Sequence, residues 1–245
     1  MEREHITPQG VSVFHDKNEN IHSFCLCLYV RAGSLFETKE NNGISHFFEH
    51  IVFKNIHYQM GENLYQTLDR CGLDFNASTY EEFIQFIITG APAHFEEAAE
   101  ILTGIFEPIT LPEEVIDTER KRIKAEIREE DEESSLGYFT KKIAWKNTSL
   151  ERTITGRKKT LDKIKGKQLR KFQKEVLSSN NIFFYISGNY PETAVVTVTK
   201  LIENYPLTVM KKERKNLAPV PKRFFARKPK VYVKNSKKTC VCFSV

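Results

Sequence analysis

Ile44-Ser45-His46-Phe47-Phe48-Glu49-His50-Ile51-Val52-Phe53 places apolar side chains at 44, 47, 48, 51 and 52. That spacing of three and four predicts a helix that is apolar over much of its circumference and therefore buried. Asn41-Asn42-Gly43 breaks the chain just before it. Set into this apolar surface are His46, Glu49 and His50, which the same spacing brings to one face, so two imidazoles can converge on one ion beside a carboxylate. Composition alone yields this five-residue pattern about 0.02 times per chain, a rough independence estimate, so an accident of packing explains it poorly. Burying such groups without partners also costs free energy.

Val11 to His15 and His22 to Val30 alternate apolar and polar residues and predict two strands, joined as a hairpin through the turn-forming Asp16-Lys-Asn-Glu-Asn20. A second helix is expected over Asn63 to Arg70, stopped at Cys71-Gly72 by a glycine suited to a C-terminal cap. Phe83 to Thr89 reads as a strand. Pro92 opens a helix that ends before Pro108, and Pro112 opens a long charged one through about Glu133. Tyr138 to Trp145 reads as helical. After Gly156 follow a basic helix over Lys167 to Leu177, a strand over Ile182 to Ser187 and a helix from Pro191 to near Asn204. This order predicts an α+β fold, a mostly antiparallel sheet with helices packed on one face.

The chain has 245 residues, 40% hydrophobic and 28% charged, a globular composition with enough length for a sizeable core. Its apolar runs fall far short of the roughly 18 residues that span a bilayer, and no signal-peptide hydrophobic region follows Met1. Five cysteines, an odd number, favour a reducing compartment, and a cytoplasmic location is expected. The formal net charge of +5 is unevenly spread: basic residues gather over Arg152 to Lys174 and Lys211 to Lys238, acidic ones over Glu113 to Glu133. The basic stretches match no recognisable nucleic-acid module, so they read as solvated helix faces and a linker, with neither nucleic acid nor membrane as partner.

Residues 209–230, basic and containing prolines, are expected to form a linker. Beyond it, Val231-Tyr-Val233 and Thr239-Cys240-Val-Cys242-Phe-Ser-Val245 echo Val11-Ser-Val13 and Phe24-Cys25-Leu-Cys27-Leu-Tyr-Val30. One domain over 1–208 and the start of a second copy over 231–245 are therefore expected. Ending in an apolar, strand-like run points to a continuation.

Two histidines are too few for a catalytic zinc, which has three protein ligands. The acidic helix offers Glu119 and Glu126, seven residues apart on one face; Glu113, Glu130 and Glu133 lie on nearby faces, so periodicity leaves the third ligand open. Here the motifs carry a resemblance. His46-x-x-Glu49-His50, with Arg31-Ala-Gly-Ser34 upstream, Phe53-Lys54 downstream and then Gly72-Leu-Asp-Phe-Asn76-Ala77-Ser-Thr79, resembles the inverted zinc motif and flanks of the pitrilysin family, the group of insulin-degrading enzyme and mitochondrial processing peptidase. The likeness runs from about Val11 to Asn204. Departures are Asn55-Ile56 where the family has Gly-Thr, and Tyr80-Glu81-Glu82-Phe83-Ile84, which only partly echoes its pattern; these bear on loop shape and substrate fit.

The resemblance implies a pitrilysin-like or mitochondrial-processing-peptidase-like fold, with residues 1–208 as its catalytic domain. It also implies zinc held by His46, His50 and Glu126, support of that site by Glu119, and Glu49 as general base. The strand carrying Asn76 and Ala77 would bind substrate by adding it as a further strand. The expected function is a zinc-dependent metalloendopeptidase acting on extended peptides or flexible protein segments. In the family, substrate-gripping residues lie in a second homologous domain, so such a domain or a partner subunit is implied. The alternative is a non-catalytic, peptide-binding or chamber-forming subunit, against which an intact Glu49 argues. Cys25 and Cys27, on one face of a strand, read as packing residues, as does Cys71; His5, His15, His22, His57 and His94 read as surface or packing residues, and Trp145 with Tyr138 and Phe139 as a helix-packing patch.

Overall fold

The computed structural model describes residues 3–129 and 135–210. Nearly all of the expected linker, the second copy with Cys240 and Cys242, and the ligand alternatives Glu130 and Glu133 lie outside these residues. Six strands, β1 (Arg3–Ile6), β2 (Ser12–Lys17), β3 (Phe24–Val30), β4 (Asp74–Thr79), β5 (Ile84–Gly90) and β6 (Ile182–Gly188), form one sheet in the order β1-β2-β6-β3-β5-β4. Neighbours are antiparallel except β2 and β6. The helices are α1 (Ile44–Met60), α2 (Asn63–Cys71), α3 (Phe95–Thr103), α4 (Glu113–Glu129), α5 (Leu136–Ala144), the single turn α6 (Lys158–Leu161), α7 (Gly166–Val176) and α8 (Ala194–Glu203).

Period-two alternation decides which side the helices cover. Leu26, Leu28, Phe86, Ile88, Phe184 and Ile186 share one face and are fully buried against the helical layer. α3 lies on β3 and β5, and α1 meets β4, α4 and α7. The opposite face carries Tyr29 and Phe183, stacked with centroids 4.8 Å apart, together with Cys25 and Cys27, whose sulfurs are 3.5 Å apart. The α+β class and the one-sided helical layer expected from the sequence are what the structure shows. No helix among the described residues is long and apolar enough to cross a membrane.

One expected pairing is corrected. β2 and β3 are not hairpin neighbours, because β6 lies between them, parallel to β2 and antiparallel to β3. Skipping one strand means crossing only about 10 Å, which residues 18–23 span easily. Asn18 N donates to Gly188 O, and Asn189 N to Ser23 O, both at 2.9 Å, tying this link to the end of β6. Alternation fixes the face each residue takes and leaves the identity of the neighbouring strand open. α1 also runs on to Met60, past the expected Phe53. It stops where Gly61 adopts a φ of 59° and its N–H caps His57 O.

Truncating a sheet residue of the covered face should therefore be severe. Phe86→Ala is expected to lower unfolding stability by about 3–5 kcal/mol, whereas Tyr58→Ala, on a solvent-facing side chain, should stay within about 0.5 kcal/mol. Urea unfolding monitored by circular dichroism checks the contrast.

Candidate functional site

The start of α1 is held by a remote carboxylate. Glu37 Oε2 accepts hydrogen bonds from Gly43 N at 2.8 Å and Asn42 Nδ2 at 2.9 Å, while Oε1 accepts from Ser45 N at 2.9 Å. Amides that the helix cannot satisfy internally are thereby paired, and carboxyl oxygens face the positive helix end. Burial pushes the Glu37 carboxyl up from its ordinary range, and these bonds oppose the rise. Gly43, at φ 96°, crosses Gly156 so closely that a Cβ on Gly43 would lie 2.8 Å from Thr155 O. Asn42 Nδ2 also donates to Thr153 O at 2.9 Å, locking this crossing.

His46, in this first turn, and His50, one turn on, stack edge to face with centroids 4.6 Å apart. α4 presents Ile116, Glu119, Ile123 and Glu126 along one stripe at helical spacing. Ile116 and Ile123 are fully buried, so packing that stripe carries both carboxylates to α1. Arg120 fixes the helix rotation: its Nε donates to Leu161 O at 2.9 Å and its Nη2 to Ile164 O at 2.6 Å, with the guanidinium 5.4 Å from the Phe47 ring centre.

The result is a converging donor set. His46 Nε2 lies 3.7 Å from Glu126 Oε1, and His50 Nε2 lies 3.6 Å from Glu126 Oε2. These separations exceed hydrogen-bond lengths and lie at or just above the edges, about 3.3–3.6 Å, of a tetrahedron built on zinc–ligand distances of about 2.0–2.2 Å. His50 Nδ1 is 2.9 Å from Glu119 Oε1; donation along this line leaves the Nε2 lone pair toward Glu126. Burial, reinforced by His50, pushes His46 down to about 3, so this ring is neutral and able to ligate. Burial works to raise Glu119, but the His50 bond and the charges of Arg122 and Lys54 outweigh it and hold the carboxyl below its usual range. His46, His50 and Glu126 could hold a metal ion.

Glu49 stands beside them. Thr79, at the end of β4, donates its hydroxyl to Glu49 Oε2. Burial pushes the Glu49 carboxyl up, against the Thr79 bond and the nearby His50. A cleft of about 360 Å³ opens here, its apolar lining including Phe53, Leu64, Leu68 and Phe75, with Asn76 and Ala77 of β4 along one wall and Lys54, His57 and Arg122 among its polar residues. β4 is the last strand of the described sheet. Of the alternatives that periodicity left open, Glu113 points elsewhere, accepting from Arg170 Nη2 and Gly166 N, each at 3.2 Å.

The profile of the insulinase family, peptidase family M16, matches residues 12–158. The chain belongs to this family. It is 26% identical over 198 residues to an uncharacterized zinc protease, YmxG, of Bacillus subtilis, covering 80% of this chain and 48% of that protein. It is 31% identical over 156 residues to the mitochondrial-processing peptidase subunit beta of Rattus norvegicus, covering 62% of this chain and 32% of that one. The chain thus spans half or less of these relatives' lengths. Among solved structures, a peptidase M16 inactive domain from Pseudomonas fluorescens superposes with a TM-score of 0.76 at 14% identity, covering 87% of this chain and 53% of that chain. The fold is therefore shared with an inactive domain and does not by itself assign activity.

Two residues read from sequence as packing or surface turn out to be neighbours. Cys71, His94 and Glu97 bring a sulfur, a ring nitrogen and a carboxylate oxygen within 4.8 Å of one another. Cys71 ends α2 while His94 precedes α3, so no local spacing could reveal the cluster. Cys25 and Cys27 join no such three-residue cluster among the described residues, and the bond from Cys27 brings the Cys25 thiol down to about 7.

Removing the carboxylate that caps α1 should loosen the site's foundation. Glu37→Ala leaves the amides of Gly43 and Ser45 without their acceptor and Asn42 Nδ2 with Thr153 O alone, and is expected to destabilise the protein by about 1–3 kcal/mol. Glu62→Ala, at an exposed position, should change stability by less than about 0.5 kcal/mol; chemical denaturation compares the two.

Proposed function

We propose that the chain is the metal-bearing part of a zinc-dependent metalloendopeptidase, with His46, His50 and Glu126 as zinc ligands and Glu49 as general base. The observation that carries this reading is the approach of both Nε2 atoms to the two oxygens of Glu126, with the Glu49 carboxylate next to them. Zinc bound there supplies Lewis-acid polarisation of a water and of the scissile carbonyl. Glu49 accepts a proton from the water as its oxygen attacks the carbonyl carbon, and returns that proton to the leaving amine as the C–N bond breaks. Thr79 occupies Oε2, which leaves Oε1 as the proton acceptor. Glu119 holds the His50 ring in the ligating tautomer.

Substrate enters as an extended segment against β4, where Asn76 and Ala77 meet the cleft, and side chains settle on its apolar floor. Such recognition reads backbone first, which suits flexible peptides or unfolded segments. A second homologous domain or a partner subunit supplies the facing wall, in keeping with the span of this chain relative to its relatives. The likeness to an inactive domain keeps a purely peptide-binding, chamber-forming role as the second reading, and Glu49 separates the two.

Zinc analysis of gently purified protein should find one equivalent at this centre. His50→Gln and Glu126→Gln should lose it, while Glu119→Gln should weaken it about 10–100-fold; undiminished affinity in His50→Gln and Glu126→Gln would reject the ligand set.

Glu49→Gln should keep its zinc and its peptide binding while cleavage by the complete assembly falls by about 10²-fold or more. Full cleavage by this variant in a peptidase assay would remove Glu49 from the chemistry, and no cleavage by the wild-type assembly would favour the chamber-forming reading.

A further inference from the structure

We infer that Cys71, His94 and Glu97 form a second, peripheral site for a zinc-class divalent ion, separate from the centre on α1 and α4. The three donors come from two elements. Cys71 is the last residue of α2, with its side chain buried, and Glu97 lies in the first turn of α3, one turn beyond His94. His94 Nδ1 is 3.5 Å from Glu97 Oε1, and all three donor atoms lie within 4.8 Å of one another. Tetrahedral geometry at zinc, with Zn–S near 2.3 Å and Zn–N near 2.0 Å, asks for donor separations of about 3.6 Å. The remaining contraction is within reach of χ rotations of His94 and Glu97, whose side chains are 37% exposed each and free to adjust.

The backbone that carries these donors is fixed. Gly72 ends α2 at φ 59° and its N–H caps Asp69 O and Leu68 O, while Leu73 N donates to Leu68 O at 2.9 Å. Leu73 then packs onto Gly90 so tightly that a Cβ there would meet Leu73 Cδ2 at 2.4 Å. This contact holds the Cys71 end of α2 against the segment that leads from β5 to His94. His94 N in turn donates to Ala91 O at 3.0 Å. Two donors therefore face a buried thiol across a packed glycine contact, an arrangement set by the sheet rather than by side-chain chance.

The donor chemistry selects the ion. One thiolate, one imidazole and one carboxylate suit zinc and its cobalt or cadmium surrogates and do not suit magnesium or calcium, which prefer all-oxygen shells. Partial exposure of His94 and Glu97 leaves room for water as a fourth ligand. The site differs from the other cluster in containing sulfur, and this makes it separable by spectroscopy, whatever the outcome for the peptidase reading.

Titration of the full chain with cobalt(II) tests the inference, because a thiolate ligand produces a near-ultraviolet sulfur-to-cobalt charge-transfer band that a histidine and glutamate site cannot. The wild type should show the band at an intensity for one thiolate. A variant with Cys25, Cys27, Cys240 and Cys242 replaced by serine should keep it, and so should His50→Gln, which empties the other centre. Cys71→Ser should lose it. His94→Ala and Glu97→Ala, at partly exposed positions that spare the core, should each bind cobalt at least about tenfold more weakly. Absence of the band in the wild type at saturating cobalt, its persistence in Cys71→Ser, or unchanged affinity in His94→Ala would each overturn the site.

Discussion

A buried carboxylate, Glu37, decides where α1 begins. Its two oxygens hold the amides of Gly43 and Ser45 and the side chain of Asn42, and Asn42 in turn grips Thr153 from a segment 111 residues away. Helix register follows from the first turn. Since His46 lies in that turn, a shift there would rotate the two imidazoles away from α4, however well the remaining apolar positions packed. The crossing of Gly43 over Gly156 tolerates no side chain, so the same few atoms specify helix start, loop docking and the orientation of the face that carries His46 and His50.

The site's electrostatics divide labour among three glutamates. Glu119 is nearly buried, 5% exposed, and its charge is held by the His50 bond. Glu126 is a third exposed and faces both free ring nitrogens. Glu49 is oriented by Thr79 and made more basic by burial. Three carboxylates thus surround two imidazoles, a set of donors that could hold a divalent ion.

Much of this was legible in the chain because it is encoded locally. The spacing of His46, Glu49 and His50 is a property of one helix, and the alternation in β3, β5 and β6 is a property of each strand. Glu119 and Glu126 were legible as a pair on one face but not as the partners of His46 and His50, since helix periodicity says nothing about which helix lies opposite; the family resemblance supplied that step. The insertion of β6 between β2 and β3 and the meeting of Cys71 with His94 depend on contacts between distant segments, so local pattern was silent. β4 escaped pattern reading because Asp74, Asn76 and Ser78 give it a polar, exposed side, as an edge strand requires.

The placement of β6 has a consequence for how the chain comes together. β2 and β3 are made early, yet the strand that joins them arrives only with residues 182–188. Until then the nascent sheet is two fragments, β1-β2 and β3-β5-β4, each with a bare edge facing the gap that β6 will fill. High contact order of this kind slows folding and lengthens the life of aggregation-prone intermediates. Cooperative closure must therefore await the late segment, and during synthesis on the ribosome helix α1, with His46 and His50, is complete long before the sheet beneath it becomes continuous.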